Sequence, residues 1–253
     1  MATVISISNQ KGGVGKTTTT YALAAILKDK GYRVLAVDLD PQSNLTFCMA
    51  GDNETLPTIY DVFRGKAKVR QAIQPTESSD IIASNILLSG VELEFTNLGR
   101  EYILSDALKP ILSMYDYVLI DTPPALSILT INAFTASNYI LVPMHADIFS
   151  LQGMAQLYDT IERVKLYCNP NLQYAGILLT RCNARTKLAC EVRGTAELIS
   201  KDLDIPLFDT SIRSSVAISE SQSLQENPLK FASKNPVMQD YIEFAEEMLE
   251  KGI

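Results

Sequence analysis

Short apolar runs alternate with segments of helical periodicity from the first residues of the chain. Residues 3–8 are mostly apolar and predict a buried strand. Apolar positions recur at helical spacing from about residue 17 to residue 30, and Gly31 predicts the end of that helix. Residues 33–38 predict the next strand. The order strand, helix, strand indicates a parallel crossover unit.

The same alternation continues along the rest of the chain. Further strands are predicted at residues 81–83, 117–121, 139–142 and 174–180. Further helices are predicted at residues 59–63, 93–112, 151–167, 192–203 and 236–250. Gly99 is a weak point in the second of these helices, and residues 51–75 are otherwise polar and irregular. The whole pattern predicts an α/β fold with a doubly wound, mostly parallel sheet flanked by helices.

Length and composition fit one large domain over residues 1–253. Of the 253 residues, 47% are hydrophobic and 20% are charged, which is ordinary for a globular protein. No apolar run approaches the roughly 20 residues that a membrane span needs. No basic segment precedes an apolar stretch at the N-terminus, so no signal peptide is expected. We therefore expect a cytoplasmic protein that does not insert into a membrane.

Charge and cysteine content narrow the classes of function. The formal net charge is −7 and the pI is about 4.9, which argues against a uniformly basic nucleic-acid binder. A local basic patch stays open, because phosphate contacts depend on the local field. The four cysteines form no Cys-x-x-Cys pair, and His145 has no cysteine close by in the sequence. A zinc or iron–sulfur site within one chain is therefore not expected.

A glycine-rich segment between the first strand and the first helix predicts a phosphate site. Its glycines let successive backbone N–H groups face an anion, and the helix that follows adds its positive end. Lys16 can neutralise phosphate oxygens and Thr17 can bind Mg²⁺. A standard Walker A loop has a glycine where this chain has Gln10, so the loop is a variant of a P-loop. The predicted nucleotide-binding residues are Lys11, Gly12, Gly13, Val14, Gly15, Lys16, Thr17 and Thr18.

Three aspartates follow predicted strands and support this site. Asp121 ends an apolar strand, where the aspartate of a Walker B motif lies. Asp38 and Asp40 stand two positions apart at the end of another strand and can share one side of it. One of the two can hold a metal-bound water while the other orients an attacking water. The residue pattern alone does not assign these two roles.

Lys11 is a second lysine, five positions before Lys16. A loop that cradles phosphate does not require it. Either Lys11 is a solvated surface residue, or it reaches a phosphate itself, in the manner of an arginine finger acting on a neighbouring subunit.

These segments resemble the ParA/Soj family of partitioning ATPases, in the class with a deviant Walker A motif that also contains MinD. The similarity covers essentially the whole chain, and the motifs in combination are specific. The segments that carry it are residues 9–20, 34–44, 115–132, 142–153 and 176–186.

The resemblance implies a function and a role for each candidate residue. Lys11 would cross an ATP-sandwich homodimer to the partner's phosphates, and Lys16 would bind phosphate within its own chain. Thr17 would bind Mg²⁺, Asp121 would support the metal site, and Asp40 would position or activate the water. Lys11, Lys16 and Asp40 are thus the predicted catalytic residues, and Thr17, Asp40 and Asp121 are the predicted metal site. The ATP-bound dimer would bind DNA nonspecifically, a ParB-like partner would stimulate hydrolysis, and the cycle would move plasmids or chromosome origins.

Residues 212–223 depart from the family pattern and leave the DNA contacts less defined. Ala217 stands where an arginine is expected, and Arg213 stands in place of a proline. Residues 181–193 hold four cations against one anion, Glu191, which is a local charge of +3 that a dimer would double. The predicted DNA-binding residues are Arg181, Arg185, Lys187, Arg193 and Arg213, with Lys230 and Lys234 as extensions of the patch.

Two alternatives within the same class stay open. A membrane-positioning ATPase of the MinD type needs a basic amphipathic helix at the C-terminus, whereas residues 241–251 are acidic. An ATPase that positions another protein cargo would share the same ATPase core. The chain begins directly at its first strand, so we expect no N-terminal helix-turn-helix extension and no operator-specific repression by this chain.

Overall fold

The computed structural model describes residues 2–145, 150–182 and 187–253, without the side chains of residues 92, 150–152 and 187–192. Its strands are β1 Thr3–Ile7, β2 Val34–Asp38, β3 Ile73–Pro75, β4 Asp80–Ile82, β5 Tyr117–Asp121, β6 Tyr139–His145, β7 Gln173–Thr180 and β8 Leu207–Ile212. Its helices are α1 Lys16–Asp29, α2 Asn44–Cys48, α3 Ile59–Phe63, α4 Val91–Glu94, α5 Ile103–Leu108, α6 Ile128–Ala136, α7 Ser150–Tyr167, α8 Lys187–Leu203, α9 Ala217–Leu224, α10 Pro228–Phe231 and α11 Pro236–Glu250. Short 3₁₀ turns lie at Val69–Gln71, Ile86–Gly90, Arg100–Tyr102 and Leu112–Met114.

The strands form one sheet in the order β3-β4-β2-β5-β1-β6-β7-β8. All neighbouring strands pair in parallel except β3 and β4, which are antiparallel. β1 lies near the middle, with β5 on one side and β6 on the other. This arrangement confirms the predicted doubly wound, mostly parallel α/β fold.

Helices cover both faces of the sheet, which is why its central strands read as continuous apolar runs. Alternate residues of β2 enter two different cores. Leu35 and Val37 belong to a core that also contains side chains of α3, α5, α6 and α7. Val34 and Ala36 belong to a second core, which contains the apolar faces of α1 and α11. Every side chain of β2 and β5 is buried as a result.

The predicted elements with strong periodicity were found close to their expected bounds. α3 and α11 match residues 59–63 and 236–250, and β5 matches residues 117–121. Asn235 caps α11 by accepting a hydrogen bond from the Val237 N–H, and Pro236 occupies the first turn.

The single helix predicted over residues 93–112 was wrong. The chain leaves α4 at Phe95, which is extended, and turns again at Gly99, whose φ of 84° lies in the left-handed region. A new 3₁₀ turn then leads into α5. The helix therefore ends before Gly99, and the left-handed backbone of Gly99 is incompatible with a helix continuing through it.

Gly176 allows a close approach between β7 and the segment that enters β8. Its φ is +146°, and a Cβ at this position would lie 2.8 Å from both Phe208 Cε2 and Pro206 O. The register of β7 against β6 also shifts at this point, with Tyr174 opposite Ile140 and Gly176 opposite Leu141.

We expect Gly176→Ala to lower the free energy of unfolding by about 3 kcal/mol, because it adds a steric clash to backbone strain. Urea denaturation followed by circular dichroism measures the change. Gly194→Ala is the matched control, because Gly194 lies in α8 and a Cβ added there would meet nothing within 4 Å. The control should be neutral or stabilising through its helix propensity. Equal effects of the two substitutions would contradict this explanation of Gly176.

Candidate functional site

The glycine-rich segment lies at the carboxyl edge of the sheet, between β1 and α1. Gly13 and Gly15 have φ values of 74° and 93°, in the left-handed region that favours glycine. Gly15 is the N-cap residue of α1. The loop therefore delivers the positive end of a 14-residue helix to the crevice where the strand order reverses.

Hydrogen bonds from neighbouring strands fix the loop. Thr180, the last residue of β7, donates its hydroxyl to the Val14 carbonyl at 2.8 Å. Asn9 accepts a hydrogen bond from the Lys11 N–H at 3.0 Å and donates to the Pro143 carbonyl at 2.8 Å. Asn9 and Thr180 are both buried. The strands around the loop therefore contribute to its shape through these hydrogen bonds.

Lys16 lies inside this loop. Its side chain is buried, and Nζ donates to the Lys11 carbonyl at 3.2 Å. Burial lowers the pKa of Lys16, and the carboxylates of Asp121 and Asp40 oppose that shift. The Lys16 ammonium faces the space above the loop. An anionic ligand there would compensate the ammonium for the water contacts that burial removes.

Asp121 and Thr17 form the other half of the site. The Thr17 hydroxyl donates to Asp121 Oδ2 at 2.6 Å. Asp121 is fully buried, and its Oδ1 is a buried oxygen that has no hydrogen-bond partner among the described residues. Burial and the neighbouring Asp38 raise the pKa of Asp121 well above its usual range, although Thr17 and Lys16 oppose this shift. The unpaired oxygen and the excess negative charge favour a cation at this position.

The structure separates the roles of Asp38 and Asp40. Asp38 Oδ1 accepts the Asp40 N–H at 3.0 Å, and Oδ2 accepts the N–H and hydroxyl of Thr46 at 2.8 and 2.7 Å. Burial raises the pKa of Asp38 to about 6 in spite of these hydrogen bonds. Asp40 lines the cleft, while its Oδ1 accepts the Gln42 N–H at 3.0 Å. Asp38 thus holds the turn, and Asp40 is the aspartate of this pair that faces a ligand.

A cleft of about 520 Å³ opens above the loop, which is the size of a small-molecule site. The loop and Asp40 form one side. The opposite wall comes from α2, from the end of β8 and the segment that follows it, from α9 and from α11. The lining residues of that wall are Asn44, Cys48, Ile212, Arg213, Ser214, Ser215, Ile218, Ser219, Gln222, Val237 and Tyr241. The sequence pattern gave no sign of Cys48 or Gln222, because neither belongs to a motif.

Among the predicted DNA-binding residues whose side chains the structure describes, two arginines are paired with carboxylates. Arg193 pairs with Asp209 and Glu197 at 3.4 and 3.3 Å. Arg213 pairs with Asp240 at 2.6 Å and also lines the cleft. Arg181 is exposed at the mouth of the cleft, with φ of 54°.

Of the remaining candidates for DNA contact, the structure describes only some. Arg185 is outside the described residues, and Lys187 begins α8 with a side chain outside the description. Lys230 pairs with Glu77 at 2.5 Å. The small side chain of Ala217, in place of the expected arginine, is buried at the start of α9.

The candidate metal-binding residues fit Mg²⁺ better than a metal whose ligands all come from the protein. No group of three or more His, Cys, Asp or Glu among the described residues is arranged to hold a metal ion. Mg²⁺ commonly binds through one or two protein oxygens, water and ligand phosphates. The Thr17 hydroxyl beside the unpaired oxygen of Asp121 meets that requirement.

The fold and this site define a P-loop nucleoside triphosphatase. A family model described as an AAA domain matches residues 2–174. The sporulation initiation inhibitor protein Soj of Bacillus subtilis is 36% identical over 256 residues and covers 100% of both chains. The chromosome partitioning protein ParA of Caulobacter vibrioides is 39% identical, covering 98% of this chain and 94% of its own. The chain belongs to the ParA/Soj family.

A solved structure is similar over nearly the same length. The crystal structure of cobyrinic acid a,c-diamide synthase from Mycobacterium smegmatis with bound ADP and magnesium superposes with a TM-score of 0.86 at 32% identity. The alignment covers 98% of this chain and 94% of that one. Among the described helices of our chain, none is both long and apolar enough to cross a membrane.

We expect Asp121→Asn to stabilise the protein, free of nucleotide and metal, by roughly 1 to 3 kcal/mol at pH 8. The folded-state pKa of Asp121 is raised, so the wild type loses stability as pH rises from about 4 through that pKa. The asparagine carries no such charge and can still accept the Thr17 hydroxyl. Urea denaturation at pH 5 and pH 8 with a chelator should show a gap between variant and wild type that widens with pH.

Asp116→Asn is the control with the opposite sign. The Arg33 guanidinium lowers the pKa of Asp116 to about 2, so its charged form stabilises the fold above the unfolded-state pKa. This substitution should not stabilise the protein at pH 8. An Asp121→Asn variant no more stable than the wild type at pH 8 would contradict the electrostatic cost that we assign to Asp121.

Proposed function

We propose that this chain is an ATPase that binds Mg-ATP, dimerises around it and binds DNA nonspecifically, in order to partition plasmids or chromosomes with a ParB-like activator. The observation that carries the proposal is the convergence of Lys16, the Thr17–Asp121 pair and Asp40 on one cleft. ADP and magnesium in the similar structure from Mycobacterium smegmatis support the choice of ligand. The partitioning role rests on the Soj and ParA relatives.

Each residue of the cleft has a distinct part in the proposed hydrolysis. Lys16 binds the β- and γ-phosphate oxygens, with backbone N–H groups of the loop. Thr17 would bind the Mg²⁺ directly, with Asp121 and Asp40 at its water shell. The metal supplies positive charge that offsets the charge developing on the phosphates. Asp40 accepts a hydrogen bond from the attacking water and orients it, while Asp38 holds the Asp40 backbone in place.

Lys11 supports the proposed dimer. Its backbone N–H is fixed by Asn9, but Lys11 is absent from the residues that line the cleft of its own chain. Its side chain is half-buried, next to the exposed Gly12 and Gly13. A lysine at the outer side of a phosphate loop is suited to reach the phosphates of a second copy facing it. ATP would then be needed for assembly, because its γ-phosphate joins the two loops.

The proposed DNA contact depends on assembly. The chain is acidic overall, and Arg193 and Arg213 are paired with carboxylates. One chain would therefore hold DNA weakly. Two chains side by side would double the number of arginines and lysines that face one duplex, and nonspecific binding rises steeply with the number of phosphates neutralised.

The two alternative functions differ in what the ATPase would bind, a membrane or another protein. A membrane-positioning role is disfavoured because Tyr241, Phe244 and Met248 bury the apolar face of α11 in the core beside α1, where no lipid reaches it. A role in positioning another protein cargo predicts ATP-dependent dimers without DNA binding.

We expect Lys11→Ala to bind ATP with nearly wild-type affinity but to lose dimerisation and to slow hydrolysis by about 100-fold or more. Lys16→Ala should lose ATP binding itself. Asp40→Ala should bind ATP and dimerise while its turnover falls by a similar factor. Calorimetry, analytical ultracentrifugation and phosphate release measure the three properties separately.

Lys66→Ala is the matched control, because Lys66 is an exposed lysine far from the cleft lining. It should behave as the wild type in all three measurements. Normal turnover by Lys11→Ala would overturn the role across the dimer, and loss of ATP binding by Asp40→Ala would overturn the assignment of Asp40.

We expect DNA binding only with ATP, and binding that weakens steeply between 50 and 200 mM salt, by roughly tenfold or more. Arg181→Ala should weaken it further, measured at saturating ATP because Arg181 also lines the cleft. Arg33→Ala is the matched control. Arg33 pairs with Asp116 and immediately precedes β2, so it lies at the edge of the sheet opposite the glycine-rich loop. Fluorescence anisotropy with a labelled duplex gives the affinities. ATP-dependent dimers that bind no DNA at low salt would favour the other protein cargo.

A further inference from the structure

Gln222 projects from α9 into the wall of the cleft that faces the glycine-rich loop. Its side chain is half-buried, and Nε2 lies 3.3 Å from the hydroxyl of Thr18. Cys48, on α2, also lines the cleft. Gln222 therefore links α9 to α1 within the cleft lining.

The charged residues at one end of the cleft indicate where Gln222 lies relative to a bound nucleotide. Lys16, Asp40 and Asp121 mark the end where the β- and γ-phosphates lie. Thr18 is two residues further along α1, toward α9. A nucleotide with its terminal phosphates at Lys16 would have room for its α-phosphate and ribose toward Thr18 and Gln222, because both residues line the same cleft.

We propose that Gln222 contacts the bound nucleotide at the junction of α-phosphate and ribose, and donates an Nε2–H to an oxygen there. The proposal rests on the nucleotide binding proposed above. A carboxamide carries two N–H donors and can keep Thr18 as one partner while it binds the ligand with the other. It adds a neutral donor on the side of the nucleotide that the glycine-rich loop does not cover.

Charge substitution distinguishes this contact from a structural role. Gln222→Glu has nearly the same shape but places an anion beside the ligand oxygens, whereas Gln222→Lys places a cation there. A direct contact predicts opposite effects of the two changes. A role only in holding α9 against α1 predicts similar effects of the two substitutions, because the Thr18 hydroxyl can donate to a carboxylate or accept from an ammonium.

Gln225 offers a matched control on the same helix end. It is exposed, and its Nε2 donates to the Phe47 carbonyl at 3.0 Å, outside the residues that line the cleft. Gln225→Glu and Gln225→Lys add the same charges within one turn of Gln222. They therefore report any long-range effect of charge on nucleotide affinity.

The test is the Kd for ADP in the presence of Mg²⁺, measured by calorimetry on the full chain at 50 and 300 mM salt. We expect Gln222→Glu to weaken ADP binding by about tenfold and Gln222→Lys to preserve or tighten it, with the difference falling at high salt. Gln222→Met, which keeps the length and removes the donor, should give an intermediate loss. The Gln225 pair should differ by less than about threefold.

Either of two outcomes for the charged variants would overturn the proposal. One is a difference of less than threefold between Gln222→Glu and Gln222→Lys at low salt, and the other is an equal difference within the Gln225 pair. Thermal unfolding without nucleotide confirms that each variant is folded, and Gln222→Met with unchanged affinity would count against the contact as well. A wild-type chain that binds no ADP would instead refute the proposed nucleotide binding, which separates the two failures.

Discussion

A carboxylate buried at the centre of an apolar sheet is the constraint around which the rest of the site is arranged. Asp121 ends β5 with Ile7 of β1 on one side and Asp38 of β2 on the other. Its charge is costly there, and the Thr17 hydroxyl and the Lys16 ammonium offset part of that cost. Because both partners come from the start of α1, the carboxylate also fixes where the loop and helix begin relative to the sheet. The buried charge of Asp121 therefore both destabilises the fold and makes the site suited to a cation.

The fold could be predicted where a local pattern decides the structure. The buried strands are examples, because each is a short apolar run. α11 is another, because its long helical periodicity and its capped first turn both indicate a helix. Short elements were missed because their structure is set by contacts distant in sequence. α2 has five residues and depends on Asp38, which accepts hydrogen bonds from Thr46. The helix expected through Gly99 failed for a local reason, the left-handed conformation that this glycine adopts.

The candidate site also has some residues that the sequence predicts and others that only the structure shows. The loop, Asp40 and Asp121 could be found in the sequence because each stands at the end of a strand with a recognisable spacing. The separation of Asp38 from Asp40 required coordinates, since two aspartates on one side of a strand look alike until their hydrogen bonds are known. The opposite wall, with Gln222 and Cys48, is assembled from segments more than 150 residues apart in the chain. The carboxylates that pair with Arg193 and Arg213 also required coordinates, because a count of charges along the chain does not show which of them form ion pairs.

The hydrogen bond from Lys16 Nζ to the Lys11 carbonyl has a consequence for ligand binding. An ammonium carries three N–H donors, so Lys16 can keep this carbonyl and still donate to an anion above the loop. The carbonyl belongs to the residue that carries the other lysine of the motif, so the backbone at position 11 helps to place the Lys16 ammonium. A change in the peptide that carries Lys11 would therefore move Lys16 as well, and the two lysines of the motif are coupled through a single carbonyl oxygen.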